Sequence, residues 1–155
     1  MNYINLKELI PKDKFDLEPF PKLSGLREDE IQPILRDLFN WTADMNWPIM
    51  DNVVDILVRF PDSVIPLIKE LLEPTETDED WKNSVIIRLI PRLPVNIQRK
   101  YLLDDIKRIV LAPTDSEIHS DVQYVAENYM KDYYGSEVME KILPIWREKI
   151  TFDKT

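Results

Sequence analysis

Two stretches, IQPILRDLF (Ile31–Phe39) and VIPLIKELL (Val64–Leu72), superpose, and YLLDDIKRIV (Tyr101–Val110) follows at a similar spacing. In each, apolar residues recur at three and four positions with acids and bases between them, the pattern of a helix that buries one face. DMNWPIM, from Asp44, aligns in the same register with DEDWKNS, from Asp78, and matches Trp47 to Trp81. Helix pairs that repeat every thirty to forty residues bury their faces by stacking on each other. The expected fold is therefore all-α: a right-handed α-α superhelix, a short HEAT-like solenoid, of about seven helices.

The intervening residues fit that frame. The chain of 155 residues is read as a single helical-repeat domain: an irregular arm over 1–23, three helix pairs over 24–134, and a C-terminal capping helix and tail over 135–155. Pro11, Pro19 and Pro21 interrupt the arm, which offers Leu9, Ile10, Phe15, Leu17 and Phe20 to the core. The first helix runs from about Arg27 to Thr42. The second is capped by Asn46, with Pro48 in its first turn, where the missing N–H costs nothing. The third starts at the cap Asp62 and stops at Glu73–Pro74; the fourth carries Trp81, Val85 and Leu89 and ends at Pro91 and Pro94; the fifth spans Val95 to Leu111. A sixth starts from Thr114 or Ser116, with Ile118, Val122, Ala126 and Tyr129 inward, and stops at Gly135, which suits a C′ position. A seventh, over 136–149, turns Val138, Ile142, Ile145 and Trp146 inward.

Composition excludes several kinds of chemistry. Cysteine is absent, so disulfides, thiolate catalysis and cysteine-held metals drop out. Only Gly25 and Gly135 occur, too few for a glycine-rich phosphate loop. The net charge is −9, from 29 acidic and 20 basic residues, and no basic cluster stands clear of the acids. Phosphate backbones need such a cluster, so no nucleic-acid partner is expected, nor a glycosylase with a basic concave track. No apolar run approaches the roughly 18 residues that span a bilayer, and no apolar segment follows a basic start, so a cytoplasmic protein without membrane association is expected.

LIPKDKFDL (Leu9–Leu17), DMNWPI (Asp44–Ile49), VIPLIKELL and LIPRLP (Leu89–Pro94), in that order, resemble a bacterial family catalogued only as a domain of unknown function. The resemblance covers roughly Leu9 to Tyr133, and Lys-Asp-Lys-Phe-Asp and Asp-Met-Asn-Trp-Pro are its most specific parts. It implies an all-helical, HEAT-like domain and implies no enzyme activity.

Candidate chemistry is sparse. His119 stands alone, and Glu117 and Asp121, two positions to either side, fall on other faces of a helix, so no metal site and no cofactor are expected. HEAT-like metal hydroxylases need several histidine–glutamate pairs and are excluded. Asp44, Asp51 and Asp55, like Asp78, Glu79 and Asp80, gather at helix starts, where the helix dipole and capping favour acids without catalysis. No catalytic residue is assigned. Trp41, Trp47, Trp81 and Trp146 read first as core wedges; Trp47 and Trp81, each opening the second helix of its pair beside acids, also read as anchors of an interface.

The functional expectation is thus a non-enzymatic protein-binding module. Its contact edge comprises Asp44, Asn46, Trp47, Asp51, Asp78, Asp80 and Trp81, and its protein partner is basic, as for an immunity-type protein that neutralises a basic toxin. The alternative is a structural or regulatory domain that holds a peptide or small molecule in a groove lined by Tyr124, Tyr129, Tyr133 and Tyr134. The sequence assigns no oligomeric state.

Overall fold

The structure, a computed structural model, describes residues 5–153, and side chains among them up to 148. Residues 1–4 of the expected arm and 154–155 of the expected tail lie outside the described residues. Every regular element among the described residues is helical. A 3-10 turn, Leu6–Leu9, opens the chain, capped by Asn5, whose side chain accepts from the Lys7 N–H. The short helix α1 (Phe20–Leu23) and α2 (Glu28–Ile31) follow, then a 3-10 turn Gln32–Ile34 and α3 (Leu35–Asn40). Next come α4 (Met50–Leu57), α5 (Pro61–Leu71) and α6 (Glu79–Ser84).

Helix α6 widens into a π-helical stretch, Val85–Leu89, and tightens into a 3-10 turn, Ile90–Arg92. The Ile90 N–H bonds the Val85 carbonyl, one residue further back than in an α-helix. Pro91 follows at once, and a widened turn gives its ring room against the preceding carbonyls. The helical path therefore continues to Arg92, past the expected stop at Pro91. Beyond it stand α7 (Val95–Ile97), a second π-helical stretch Gln98–Leu102, α8 (Leu103–Leu111), α9 (Asp115–His119), α10 (Val122–Tyr134) and α11 (Ser136–Asp153).

Several expectations are corrected. The first helix is broken into α2, a 3-10 turn and α3, because Pro33 lacks an N–H and restricts the residue before it. Asn46 is not a helix cap: α4 begins at Met50, and the Asn46 N–H instead donates to Asp44 Oδ1 at 2.8 Å. Helix α5 starts at Pro61, with Phe60 rather than Asp62 at the cap position. The expected sixth helix is two, because Asp121 adopts the left-handed conformation (φ 64°) between α9 and α10. That turn leaves Ile118 51% exposed and buries Glu117 in its place. On α11 the inward residues are Met139 and Leu143, while Val138 and Ile145 are exposed. In the arm, Leu9 and Phe20 reach the core, but Phe15 and Leu17 stand out at 66% and 55% exposure.

One cluster of buried apolar side chains runs from Leu9 to Leu143. All the apolar residues of the two stretches that define the register belong to it except Leu67, which packs on its margin: Ile31, Ile34, Leu35, Leu38 and Phe39, then Val64, Ile65, Ile68, Leu71 and Leu72. Helix α3 packs on α4 and α5, and α10 packs on α6, α8 and α11. Arg59 holds the junction between the arm and α2 by donating to the carbonyls of Leu23 (3.5 Å), Ser24 (2.7 Å) and Leu26 (3.2 Å).

Polar links across the helices keep a common separation. Gln32 bonds Ser63, Arg36 pairs with Glu70 (3.0 Å), and Lys69 pairs with Asp105 (2.6 Å). Further along, Arg92 pairs with Asp55 (2.6 Å), Asn83 donates to the Ser120 carbonyl (3.0 Å) and Arg99 donates to the Tyr133 hydroxyl (3.0 Å). The two partners in these links lie 31 to 37 residues apart in sequence. Each thus joins two segments at a similar separation along the chain.

Candidate functional site

The turn between α3 and α4 is built by local hydrogen bonds. The Thr42 N–H donates to the Phe39 carbonyl (2.9 Å), and the buried Thr42 hydroxyl donates to the same oxygen (2.7 Å). Asp44 then closes an Asx turn onto the Asn46 N–H, the use of a short carboxylate that favours aspartate in such loops. Trp47 follows, half-buried, its ring edge-on to Trp41 at 5.3 Å.

The loop between α5 and α6 approaches from the other side. Glu76 accepts from the Thr77 and Asp78 N–H groups, and Asp78 caps α6 by accepting from the Trp81 N–H at 3.1 Å. Trp81 lies against Phe39 with ring centroids 5.3 Å apart, and its indole N–H donates to the Thr42 hydroxyl at 2.8 Å. That bond pins the start of α6 to the α3–α4 turn.

Between the pinned segments lies a cleft of about 410 Å³, lined by Ala43, Asp44, Met45 and Asn46 on one wall and Asp78, Asp80, Asn83 and Ser84 on the other. Three carboxylates and no basic side chain line it. Four residues of the expected edge, Asp44, Asn46, Asp78 and Asp80, thus meet in one place. The other three stand outside its walls: Trp47 on Trp41, Trp81 as a wedge on Phe39, and Asp51 in an ion pair with Arg88, which also donates to the Met45 carbonyl at 3.4 Å. Asn83 and Ser84 escaped sequence reading. Asn83 donates its Nδ2 to the Ser120 carbonyl (3.0 Å), while its Oδ1 and the Ser84 hydroxyl are buried without a hydrogen-bond partner. Among the described residues no group of three His, Cys, Asp or Glu could hold a metal ion.

Helix α6 also carries a buried ionic network. Lys82, fully buried, donates to the Glu73 carbonyl and to Glu117 Oε2, both at 3.1 Å, and lies 3.5 Å from Glu79 Oε2. Glu117 is equally buried and accepts two bonds from Arg108, while its capping box with Thr114 starts α9. Arg108 reaches on to the Leu72 carbonyl at 2.8 Å. Burial acts most strongly on the Glu117 carboxyl and pushes it up. The bonds from Arg108, the Thr114 N–H and Lys82, with the Arg108 charge, outweigh burial and hold it below the usual carboxylate range.

The tyrosines of the alternative reading gather elsewhere. A depression of about 450 Å³ is lined by Pro91, Val95, Gln98, Arg99, Tyr129, Asp132, Tyr133 and Tyr134. A neighbour of about 260 Å³, sharing Pro91, Tyr129 and Asp132, adds Tyr124 and Ile87. Tyr129 is buried and donates to Gln98 Oε1; burial foremost, then Tyr133 and Tyr134, push its hydroxyl well above the ordinary tyrosine range. His119 is exposed on the surface.

Comparison with known families matches residues 9–130 to a family model described as Domain of unknown function (DUF5071). Comparison with curated proteins gives no match.

Proposed function

Since the chain belongs to the family described as Domain of unknown function (DUF5071), we propose from its site alone that it is a non-enzymatic protein-binding module whose acidic cleft holds a basic protein partner. The observation that carries this is the meeting of Asp44, Asp78 and Asp80 around one cleft with no cation among its lining residues. A negative concavity of this kind speeds encounter with a positively charged surface and rejects acidic ones. The net charge of −9 supports the same sign of partner. An immunity-type role, in which an acidic protein covers the cationic surface of a toxin, is the concrete form of this reading.

The frame that presents the cleft reads as a short HEAT-like solenoid, a right-handed superhelix of stacked helix pairs. Its support is the ladder of polar links at separations of 31 to 37 residues, since stacked repeats touch chiefly their neighbours. Cytoplasmic residence fits the absence of cysteine, and among the described residues no helix is long and apolar enough to cross a membrane.

The test is retention of a basic protein of the source cell on immobilised chain, compared with an Asp44→Asn, Asp80→Asn double variant of unchanged helical content. Retention by the native chain, loss in the variant, and release as salt rises from about 0.1 to 0.5 M, where screening shortens to a few ångströms, are expected. Retention that ignores both the variant and the salt refutes the reading. It would favour the tyrosine groove, whose exposed Val95, Ile87 and Tyr124 surround the buried Tyr129 and whose apolar contacts are insensitive to salt.

A further inference from the structure

We infer that the cleft between the α3–α4 turn and α6 is a receptor for one guanidinium group, an arginine side chain carried by the basic partner. The inference rests on the protein-binding reading above and specifies what enters the site.

Asp44 and Asp78 each use Oδ1 for a local backbone N–H, which leaves the second oxygen of each without a protein donor among the described residues. Asp80 has no ion-pair partner among the described residues, although Asp44 and Asp78 line the same cleft. Beside these charges, Ser84 is 1% exposed and its hydroxyl has no partner, and Asn83 Oδ1 is likewise buried and unpaired. The bond from Asn83 Nδ2 to the Ser120 carbonyl holds the amide in place, so its oxygen is fixed as an acceptor. Buried polar atoms without partners are rare in folded proteins, and two of them on residues that line one cleft call for a donor from outside.

The complementary ligand is therefore a cation rich in donors and lacking acceptors. A guanidinium carries five N–H donors in a plane and no acceptor, which suits carboxylates, an amide oxygen and a hydroxyl spread over two walls. An ammonium presents three donors from one point and holds its water more tightly. A volume of about 410 Å³ fits an extended side chain better than a bare ion. The acids do not converge as metal ligands.

The experiment is a ¹H–¹⁵N NMR titration of the full chain with N-acetyl-arginine methylamide, its lysine counterpart, or spermidine as the free-polyamine control. Saturable shifts confined to Asp44, Asp80, Asn83 and Ser84 are expected with arginine, at an affinity roughly threefold or more tighter than with lysine or spermidine. Asp80→Asn should weaken arginine binding roughly threefold or more, and Ser84→Ala about twofold, while the urea midpoint of the Ser84→Ala variant does not fall. Absence of saturable shifts, equal or tighter binding of lysine or spermidine, or unchanged affinity in both variants overturns the inference. A basic protein retained through Asp44 and Asp80 by a chain that fails this titration leaves the module standing and removes only the guanidinium receptor.

Discussion

Trp81 and Thr42 are joined by an indole-to-hydroxyl hydrogen bond of 2.8 Å, and through it the first turn of one helix is fastened to the corner that precedes another. Thr42 is fully buried and passes its own proton to the Phe39 carbonyl, so Trp81 supplies the donor that fills its acceptor side. Trp81→Phe should cost about 1–2 kcal/mol, and Trp81→Ala, which also vacates the contact with Phe39, about 2–4 kcal/mol. A double-mutant cycle with Thr42→Val, read by urea unfolding, should give a coupling of about 0.5–1.5 kcal/mol. Additive effects would show that the bond contributes nothing.

Glu117 balances two cations in the interior. Glu117→Gln leaves Lys82 and Arg108 without their shared anion and should destabilise by about 3–5 kcal/mol, the usual consequence of breaking a buried pair from one side. Loss below about 1 kcal/mol would refute the network's importance.

The same carboxyl sets a pH dependence. Its folded value lies below its unfolded one, so the stability it contributes is present in full above the ordinary glutamate range of about 4.3 and is lost as pH falls below it toward the depressed folded value. Urea midpoints measured from about pH 6 down to pH 3 should fall less steeply in Glu117→Gln than in the native chain. Parallel curves would contradict this.

Asp121 holds φ at 64° without a side-chain bond that caps α10. Asp121→Gly relieves the left-handed backbone and should leave stability unchanged or raise it by about 0.5–1 kcal/mol, while Asp121→Val should cost about 1–2 kcal/mol. Thermal unfolding of the two variants distinguishes them, and the reverse order would refute the assignment.

Phe15 and Leu23 should part company despite both being apolar. Leu23→Ala removes a fully buried side chain and should cost about 2–5 kcal/mol, whereas Phe15→Ser, at 66% exposure, should leave the unfolding midpoint within experimental error. A large effect of Phe15→Ser would mean that the loop packs more tightly than its exposure indicates.

Much of this architecture was legible in the apolar spacing. Ile31 to Phe39 and Val64 to Leu72 each offer one stripe wide enough to fix the phase of a helix, and their inward residues are buried as expected. The last helix offers two stripes, Val138–Ile142–Ile145 and Met139–Leu143–Trp146, and only the surfaces of α8 and α10 choose between them. Glu117 stands out in the sequence only as a neighbour of His119, because its reason for burial, Lys82 and Arg108, lies 35 and 9 residues away. Within the cleft, Asp44, Asn46, Asp78 and Asp80 could be grouped because the DMNWPIM and DEDWKNS segments align with each other in the sequence. Asn83 and Ser84 could not, since an unpaired buried hydroxyl leaves no mark on a sequence.

The ladder of links at separations of 31 to 37 residues bears on how the chain is made as well as how it is held. A segment leaving the ribosome waits for only 31 to 37 further residues before its partner in such a link is available, so long loops need never be closed at once. Folding can advance from the arm toward α11 in step with synthesis, at the speed of a topology rich in short-range contacts.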